Sequence, residues 1–189
     1  MQVIDDALDH EYFDHLNRAI VHRNNNGSFR WSLQEKRVAR LEDDPNSEHF
    51  YFISSFYNNY KIEDDFYYEL FPLFNALDVK AVLRARAIMY MNQGKIIKHK
   101  PHIDYDYPHN AALLYMNTNN GYTGMINDDW VQNDKFTPEE RFSEEGIFSD
   151  GNKVESVENR ILLHDGSIPH HSTTCTDTAK RLLIAVNYF

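Results

Sequence analysis

The chain has 189 residues, 42% of them hydrophobic and 14% aromatic, with a net charge of −10. That length and apolar content support a folded chain of one domain with a sizeable core and exclude a disordered one. The single Cys excludes an internal disulfide or a cysteine-based metal cluster and fits a reducing compartment, while the acidic balance argues against a nucleic-acid partner. The opening run Met1-Gln2-Val3-Ile4-Asp5-Asp6 lacks a basic n-region, and no stretch approaches the ~18 apolar residues of a membrane span. The expected location is therefore the cytoplasm, neither secreted nor in a membrane. Residues 1–80 are expected to be rich in helix. Asp9 is placed to cap a helix whose Phe13, Leu16 and Ile20 fall on one face, and Asn24-Asn25-Asn26-Gly27 should end it. Asp43-Asp44-Pro45-Asn46-Ser47 reads as a loop. Phe66, Leu70, Leu73, Phe74 and Leu77 recur at helical spacing, with Pro72 expected to kink or restart that helix. These stripes read as core and carry no chemistry.

From about Ala81 the pattern turns to strands. Val82 to Met91 alternates, with Arg84, Arg86, Ile88 and Tyr90 on one face and Leu83, Ala85, Ala87 and Met89 on the other. Ala111 to Asn117 is a short apolar run, and Asn119-Asn120-Gly121 reads as a hairpin turn after it. Residues 126–150 break the pattern. Asp128-Asp129-Trp130 and Thr137 to Phe142 suggest an insertion with one helical turn, the kind of segment that serves as a binding loop or lid, with Trp130, Phe136 and Phe142 as its apolar residues. Arg160 to His164 is a further strand, Asp165-Gly166-Ser167 a turn, and Arg181 to Tyr188 a strongly β-prone closing strand. Short strands separated by turns indicate a sandwich or jelly roll.

The chemistry concentrates in Lys98-His99-Lys100-Pro101-His102-Ile103-Asp104. In an extended segment His102 and Asp104 share a side and Ile103 faces the other way. A second His would complete a facial set of two imidazoles and one carboxylate, the donor set that holds non-haem Fe(II) and leaves positions open. Pro169-His170-His171 offers that ligand twice. An extended backbone lets only one of the two neighbours face the metal. Arg181 lies eleven residues after His170 and ten after His171; a hairpin between them would set a cation beside the metal. His99, Asp106 and His109 also lie close to the motif and read as solvated.

Together these features resemble the 2-oxoglutarate- and Fe(II)-dependent oxygenases, in particular the small prolyl-hydroxylase-like members. The likeness rests on His102-Ile103-Asp104, the strand Leu113-Leu114-Tyr115-Met116-Asn117, Gly121-Tyr122-Thr123, Asn159-Arg160, Asp165-Gly166, Pro169-His170, and Arg181 with its tail to Phe189. The run from His170 through Cys175-Thr176-Asp177 is similar to short members carried by phages. The resemblance implies a mainly β fold: a double-stranded β-helix, or jelly roll, with N-terminal helices packed on one sheet. It implies one domain over residues 1–189, with 1–80 as helical support and 81–189 as the jelly-roll core carrying the insertion 126–150. His102, Asp104 and His170 would bind Fe(II), with His171 the alternative third ligand. Arg181 would pair with the distal carboxylate of 2-oxoglutarate, helped by Tyr115, and Tyr90 would reach the co-substrate near the metal. Tyr122 stands where the family commonly has a second Gly, which puts that turn's shape in question. The implied reaction couples decarboxylation of 2-oxoglutarate to hydroxylation of a prolyl or other amino-acid or peptidyl side chain, with ascorbate as a stimulant and a peptide or small molecule as partner. A non-catalytic, cupin-like jelly roll is the other reading, and it predicts no iron-dependent turnover.

Overall fold

The computed structural model describes residues 1–21, 29–34, 49–99, 101–126 and 150–189. Strand is the dominant element. The chain runs β1 (Gln2–Ile4), α1 (His10–Val21), β2 (Ser32–Gln34), β3 (Tyr51–Asn58) and β4 (Lys61–Ile62). A 3-10 turn (Asp65–Leu70) then leads into α2 (Phe71–Ala76). There follow β5 (Val82–Met91), β6 (Asn110–Tyr115), β7 (Asn119–Ile126), β8 (Asp150–Ser156), β9 (Arg160–Asp165), β10 (His170–Ser172) and β11 (Lys180–Tyr188). The large sheet has the order β1-β9-β6-β11-β5-β3-β2, with β4 on β3; the small sheet has the order β10-β7-β8. Every pairing is antiparallel.

Alternation on β11 explains the architecture. Leu182, Ile184, Val186 and Tyr188 join the helices in one core cluster, together with Phe13, Leu16, Leu73 and Ala87. Leu183 and Ala185 point the opposite way, into a second cluster with Ile88, Tyr90, Tyr115 and Leu162 from the large sheet and Met125 and Val154 from the small one. A strand buried on both faces reads as a nearly continuous apolar run, which is why Arg181 to Tyr188 looks so strongly β-prone. The helices thus cover the outside of the large sheet, and the space between the sheets is where polar side chains on β5 and β11 meet. This is the jelly roll with helices on one sheet. Among the described residues, no helix is long and apolar enough to cross a membrane.

Local signals decide the helices. The Asp9 carboxylate accepts from the backbone N–H of Glu11 (3.0 Å) and Tyr12 (3.3 Å), and Phe13, Leu16 and Ile20 are buried. Asp9→Ala is expected to cost about 1 kcal/mol, the usual value of an N-cap, seen as a lower denaturant midpoint with an unchanged slope. An unchanged midpoint would show that the cap contributes nothing. Pro72 restarts the helix instead of kinking it: the 3-10 turn ends at Leu70, and Pro72 sits in the first turn of α2, where its missing N–H costs nothing.

Three expectations need correction. The described part of the first eighty residues holds strands as well as helices, β1 to β4, and β3 lies beside β5 inside the large sheet. Tyr51 and Ile53 face one cluster and Phe56 the other, so β3 is buried on two sides and lacks a clean alternation. Asn119-Asn120-Gly121 is not a hairpin turn, because β6 and β7 belong to different sheets and these residues open β7. Asn119 accepts from Gly121 N–H (3.0 Å), and Asn120 N–H donates to both oxygens of Asp177 (3.0 Å each). Gly121 is required by a close approach: a Cβ there would lie 2.6 Å from Arg181 Cδ and 2.7 Å from Thr174 O. Nor do His170 and Arg181 share a hairpin, since β10 pairs with β7 while β11 lies between β5 and β6. The expectations for Asn24–Gly27, Asp43–Ser47, Lys100 and the body of the insertion 126–150 lie outside the described residues. The insertion leaves and returns on paired residues, Ile126 and Asp150.

Candidate metal centre

His102 and His170 are locked together by backbone. His102 N–H donates to His170 O (2.9 Å) and His170 N–H to His102 O (3.0 Å), an isolated antiparallel bridge that sets the two rings 4.6 Å apart. The motif is not a strand beyond this bridge, but its extended course has the expected effect. Asp104 N–H donates to Gly166 O (2.9 Å), and Asp104 turns to the same side as His102, while Ile103 is exposed. One donor atom each from His102, Asp104 and His170 lie within 4.8 Å of one another.

The protonation states suit a divalent cation. Burial alone would raise the Asp104 carboxyl, but His170, Arg84, His102 and Arg86 overcome it and hold the group well below the usual carboxylate range. Burial, reinforced by His102, pushes His170 down to about 4, so the ring is neutral at pH 7. Its Nδ1 lies 2.9 Å from Ile168 O, which fixes Nδ1 as the donor and leaves the Nε2 lone pair toward the cluster. His170 Nε2 stands 3.9 Å from the nearer Asp104 oxygen, too long for a direct hydrogen bond.

An outer network holds Asp104. Arg84 donates to one carboxylate oxygen, and Asn187 Nδ2 to the other (2.8 Å). Arg84 Nε also donates to Asn187 Oδ1 (3.1 Å), and Asn187 Nδ2 reaches His109 Nε2 (3.1 Å). His109 Nδ1 then meets Tyr107 O (2.9 Å), a consistent tautomer in which Nε2 accepts. Sequence reasoning missed Arg84 and Asn187 as supports and took His109 as solvated, whereas it is buried. Signals existed: Arg84 shares a face with Tyr90, and Asn187 is a polar residue at two-residue spacing from Leu183 and Ala185 in an otherwise apolar strand. His99 is likewise buried, and only Asp106 is exposed. His164 on β9 packs its ring 4.6 Å from that of His170, and burial pushes it down to about 4.

His171 goes elsewhere. Alternation along β10 turns its ring toward Gly124, where a Cβ would overlap it, with the Tyr122 ring 5.8 Å away. Tyr122 lies in β7, not in a turn, and its N–H donates to Thr173 Oγ1 (2.8 Å). Because His171 is fully buried it has nowhere to move, so Gly124→Ala is expected to cost about 1–3 kcal/mol by overpacking. Thermal denaturation should register that loss, and metal affinity should change little. A variant with full stability would show that the His171 ring is free to swing away.

Arg181 is fully buried between the sheets. Nε donates to Ser156 Oγ (2.6 Å), Nη1 to Ser172 Oγ and to Thr173 O (3.2 Å), and Nη2 to Thr123 Oγ1 (2.9 Å). Tyr115, also fully buried, donates its hydroxyl to Thr123 Oγ1 (2.9 Å). The guanidinium carbon lies 5.6 Å from the Tyr90 ring centre and 5.5 Å from that of Tyr115. Tyr90 stands opposite Arg181 in the β5–β11 register. The structure therefore brings Arg181, Tyr115, Tyr90 and Thr123 together. Among the described residues, the acceptors of Arg181 are hydroxyls and a carbonyl, none of them a carboxylate. A guanidinium stays charged, and a buried charge without a counter-ion is costly. Such a site suits a carboxylate ligand with fork geometry.

No protein-family model matches the sequence, and no curated protein does. Solved structures match over nearly the whole chain at low identity. A 2-oxoglutarate-Fe(II) oxygenase family oxidoreductase from Burkholderia pseudomallei is 8% identical with a TM-score of 0.61, covering 98% of this chain and 83% of its own. A Pseudomonas putida prolyl-4-hydroxylase is 14% identical with a TM-score of 0.56, covering 99% and 91%. The epimerase SnoN, solved with Fe3+, alpha-ketoglutarate and nogalamycin RO, is 11% identical with a TM-score of 0.60, covering 99% and 77%. The chain has the double-stranded β-helix fold of the 2-oxoglutarate- and Fe(II)-dependent oxygenases.

Proposed function

We propose that the chain is a single-domain Fe(II)- and 2-oxoglutarate-dependent hydroxylase. His102, Asp104 and His170 hold the metal, and Arg181 with Tyr115 holds the distal carboxylate of 2-oxoglutarate. The donor set fits the ion: two imidazoles, that of His170 neutral, and one ionised carboxylate on one side, with no fourth protein ligand among the described residues. When bound, the metal and 2-oxoglutarate supply oxidative decarboxylation to succinate and CO2 coupled to hydroxylation of a substrate. The chain supplies orientation. Ile168 O fixes the His170 tautomer, Arg84 and Asn187 fix the Asp104 carboxylate, and Tyr90 packs beside Arg181. Ile88, Leu162 and Leu183 line the space between the sheets and exclude water.

The observation that carries this reading is the pairing of an ionised three-residue donor set with a buried guanidinium that has no carboxylate partner. The substrate is an amino-acid or peptidyl side chain, with proline the first candidate; likeness to a prolyl-4-hydroxylase supports that choice. The test is succinate release from 2-oxoglutarate in air with Fe(II), with and without ascorbate and with a chelator control. Iron-dependent succinate is expected. Iron binding with no consumption of 2-oxoglutarate would instead favour a non-catalytic jelly roll.

A further inference from the structure

Arg86 is a second cation between the sheets, and no carboxylate among the described residues is bonded to it. It shares the inward face of β5 with Arg84 and Tyr90. Its Nε is sealed from solvent without a hydrogen-bond partner, the residue as a whole is half-buried, and the guanidinium makes no hydrogen bond or ion pair with any described residue. Burial lowers its pKa, and the nearest charges acting on it are Arg84, which repels, and Asp104, which attracts. Asp104 is already matched by Arg84. In the register, the residues on either side of Arg86 are Ser55 on β3 and Ala185 on β11. Both side chains are small, and neither carries a charge to match the guanidinium.

A second unmet polar group lies against Tyr51 and Tyr90, the two rings whose hydroxyls also act on Arg86. His99 is buried to 1% exposure, and neither ring nitrogen has a hydrogen-bond partner among the described residues. Its ring lies 4.8 Å from Tyr90 and 5.4 Å from His49, whose Nδ1 is also unpartnered. Burial, with His49 and Arg181 adding to it, pushes His99 down to about 3, so it is neutral and offers one donor and one acceptor. Buried donors left unmet each cost about 1–3 kcal/mol, and an unpaired charge costs more. Groups of this kind call for a partner that the described residues do not supply, an ordered water or a ligand.

We infer that Arg86 and His99 bind the carboxylate and a neighbouring polar group of the primary substrate, which makes that substrate a free amino acid and not an internal residue of a peptide. The inference rests on the proposed hydroxylase reading. The charges favour it. Loaded with 2-oxoglutarate, the pocket matches Arg181 with the distal carboxylate and Arg84 with Asp104. The metal retains positive charge after one carboxylate binds it, and Arg86 remains without an anion. An amino-acid carboxylate supplies one in bidentate geometry. An internal peptide residue has none to offer and would leave Arg86 unpaired.

The test uses the full chain. Probes are the free L-amino acids, the amide of each, and the blocked peptide N-acetyl-Gly-Pro-Gly-amide. Thermal shift reads binding to the metal-free protein, and succinate release reads turnover with Fe(II) and 2-oxoglutarate. At least one free amino acid is expected to raise the melting temperature and stimulate succinate release, with its amide and the blocked peptide doing neither. Arg86→Gln should raise the half-saturating concentration of that amino acid by about tenfold or more relative to any change for 2-oxoglutarate, and Arg86→Lys should partly restore it. Arg86→Gln should also raise the melting temperature of the ligand-free protein, because it removes an unpaired, half-buried charge. A drop would mark a structural role and overturn the inference. So would a peptide or amide as effective as the free acid, or 2-oxoglutarate turnover that no free amino acid stimulates. An Arg86→Gln requirement for 2-oxoglutarate raised as far as that for the amino acid would give the carboxylate to the co-substrate and also overturn it. Absence of any succinate from the wild type, whatever is added, is a different failure, that of the hydroxylase reading itself.

Discussion

Asp104→Ala is expected to abolish Fe(II) binding and iron-dependent succinate release while the fold survives. Asp104 belongs to neither core cluster, so its loss opens no apolar cavity. What the variant loses is the one anionic donor of the three, along with the acceptor for Arg84 and Asn187. Metal affinity should fall by more than the ~10–100-fold typical of losing an outer partner, because a direct ligand is gone. Arg84 is only 18% exposed and loses its ion pair, so a stability cost of about 1–3 kcal/mol should accompany the change. Asp104→Asn separates charge from shape. The carboxyl is held below its ordinary value in the fold, so it stabilises the metal-free protein at neutral pH, and that contribution fades as pH falls below the unfolded value of about 3.9. Wild type should therefore lose stability in acid more steeply than Asp104→Asn. Turnover at the wild-type level in either variant would remove Asp104 from the metal site.

Arg181 carries the second large effect, and there the stability term is bigger. Truncation to Ala removes four hydrogen bonds from a fully buried position and leaves the Ser156 and Ser172 hydroxyls without this donor, Thr123 keeping only Tyr115. About 3–5 kcal/mol is the expected loss, enough to unfold a marginal domain, so Ala alone is a poor test of function. Arg181→Lys keeps the charge and drops the fork. It should fold, and it should raise the requirement for 2-oxoglutarate by about tenfold or more, since a point charge replaces a bidentate donor. Steady-state succinate release against 2-oxoglutarate concentration reads this directly. An unchanged requirement would place the distal carboxylate somewhere other than Arg181.

Much of the site was legible because its spacing is set by the backbone. His102 and Asp104 lie two apart, and any extended course puts them on one side; Tyr90 and the Val82–Met91 strand follow from the same alternation. The choice between His170 and His171 was open in sequence because both fit. Geometry separates them: the backbone bridge to His102 orients His170 toward Asp104, and the space above Gly124 takes His171. Arg181 does reach the space between the sheets, but not through the expected hairpin. It approaches Ser172 from another sheet, and sequence spacing cannot tell a hairpin from a crossover. The Arg84–Asp104–Asn187 network was not legible because its members are brought together by the β5–β11 register, in which Arg84 stands opposite Asn187. β3 was missed because burial on both faces erases the period that announces a strand. The Asn119–Gly121 error has a similar origin: a glycine demanded by the closeness of Arg181 looks, in sequence, like one demanded by a turn.

The most direct measurement is an anoxic titration of the metal-free chain with Fe(II) and then 2-oxoglutarate, followed by calorimetry. The expected result is one Fe(II) per chain, and one 2-oxoglutarate that binds tightly only after the metal, with both events lost in Asp104→Ala and the second weakened in Arg181→Lys. Binding of 2-oxoglutarate with equal affinity in the presence and absence of Fe(II), or Fe(II) binding that survives Asp104→Ala, would contradict the proposed centre.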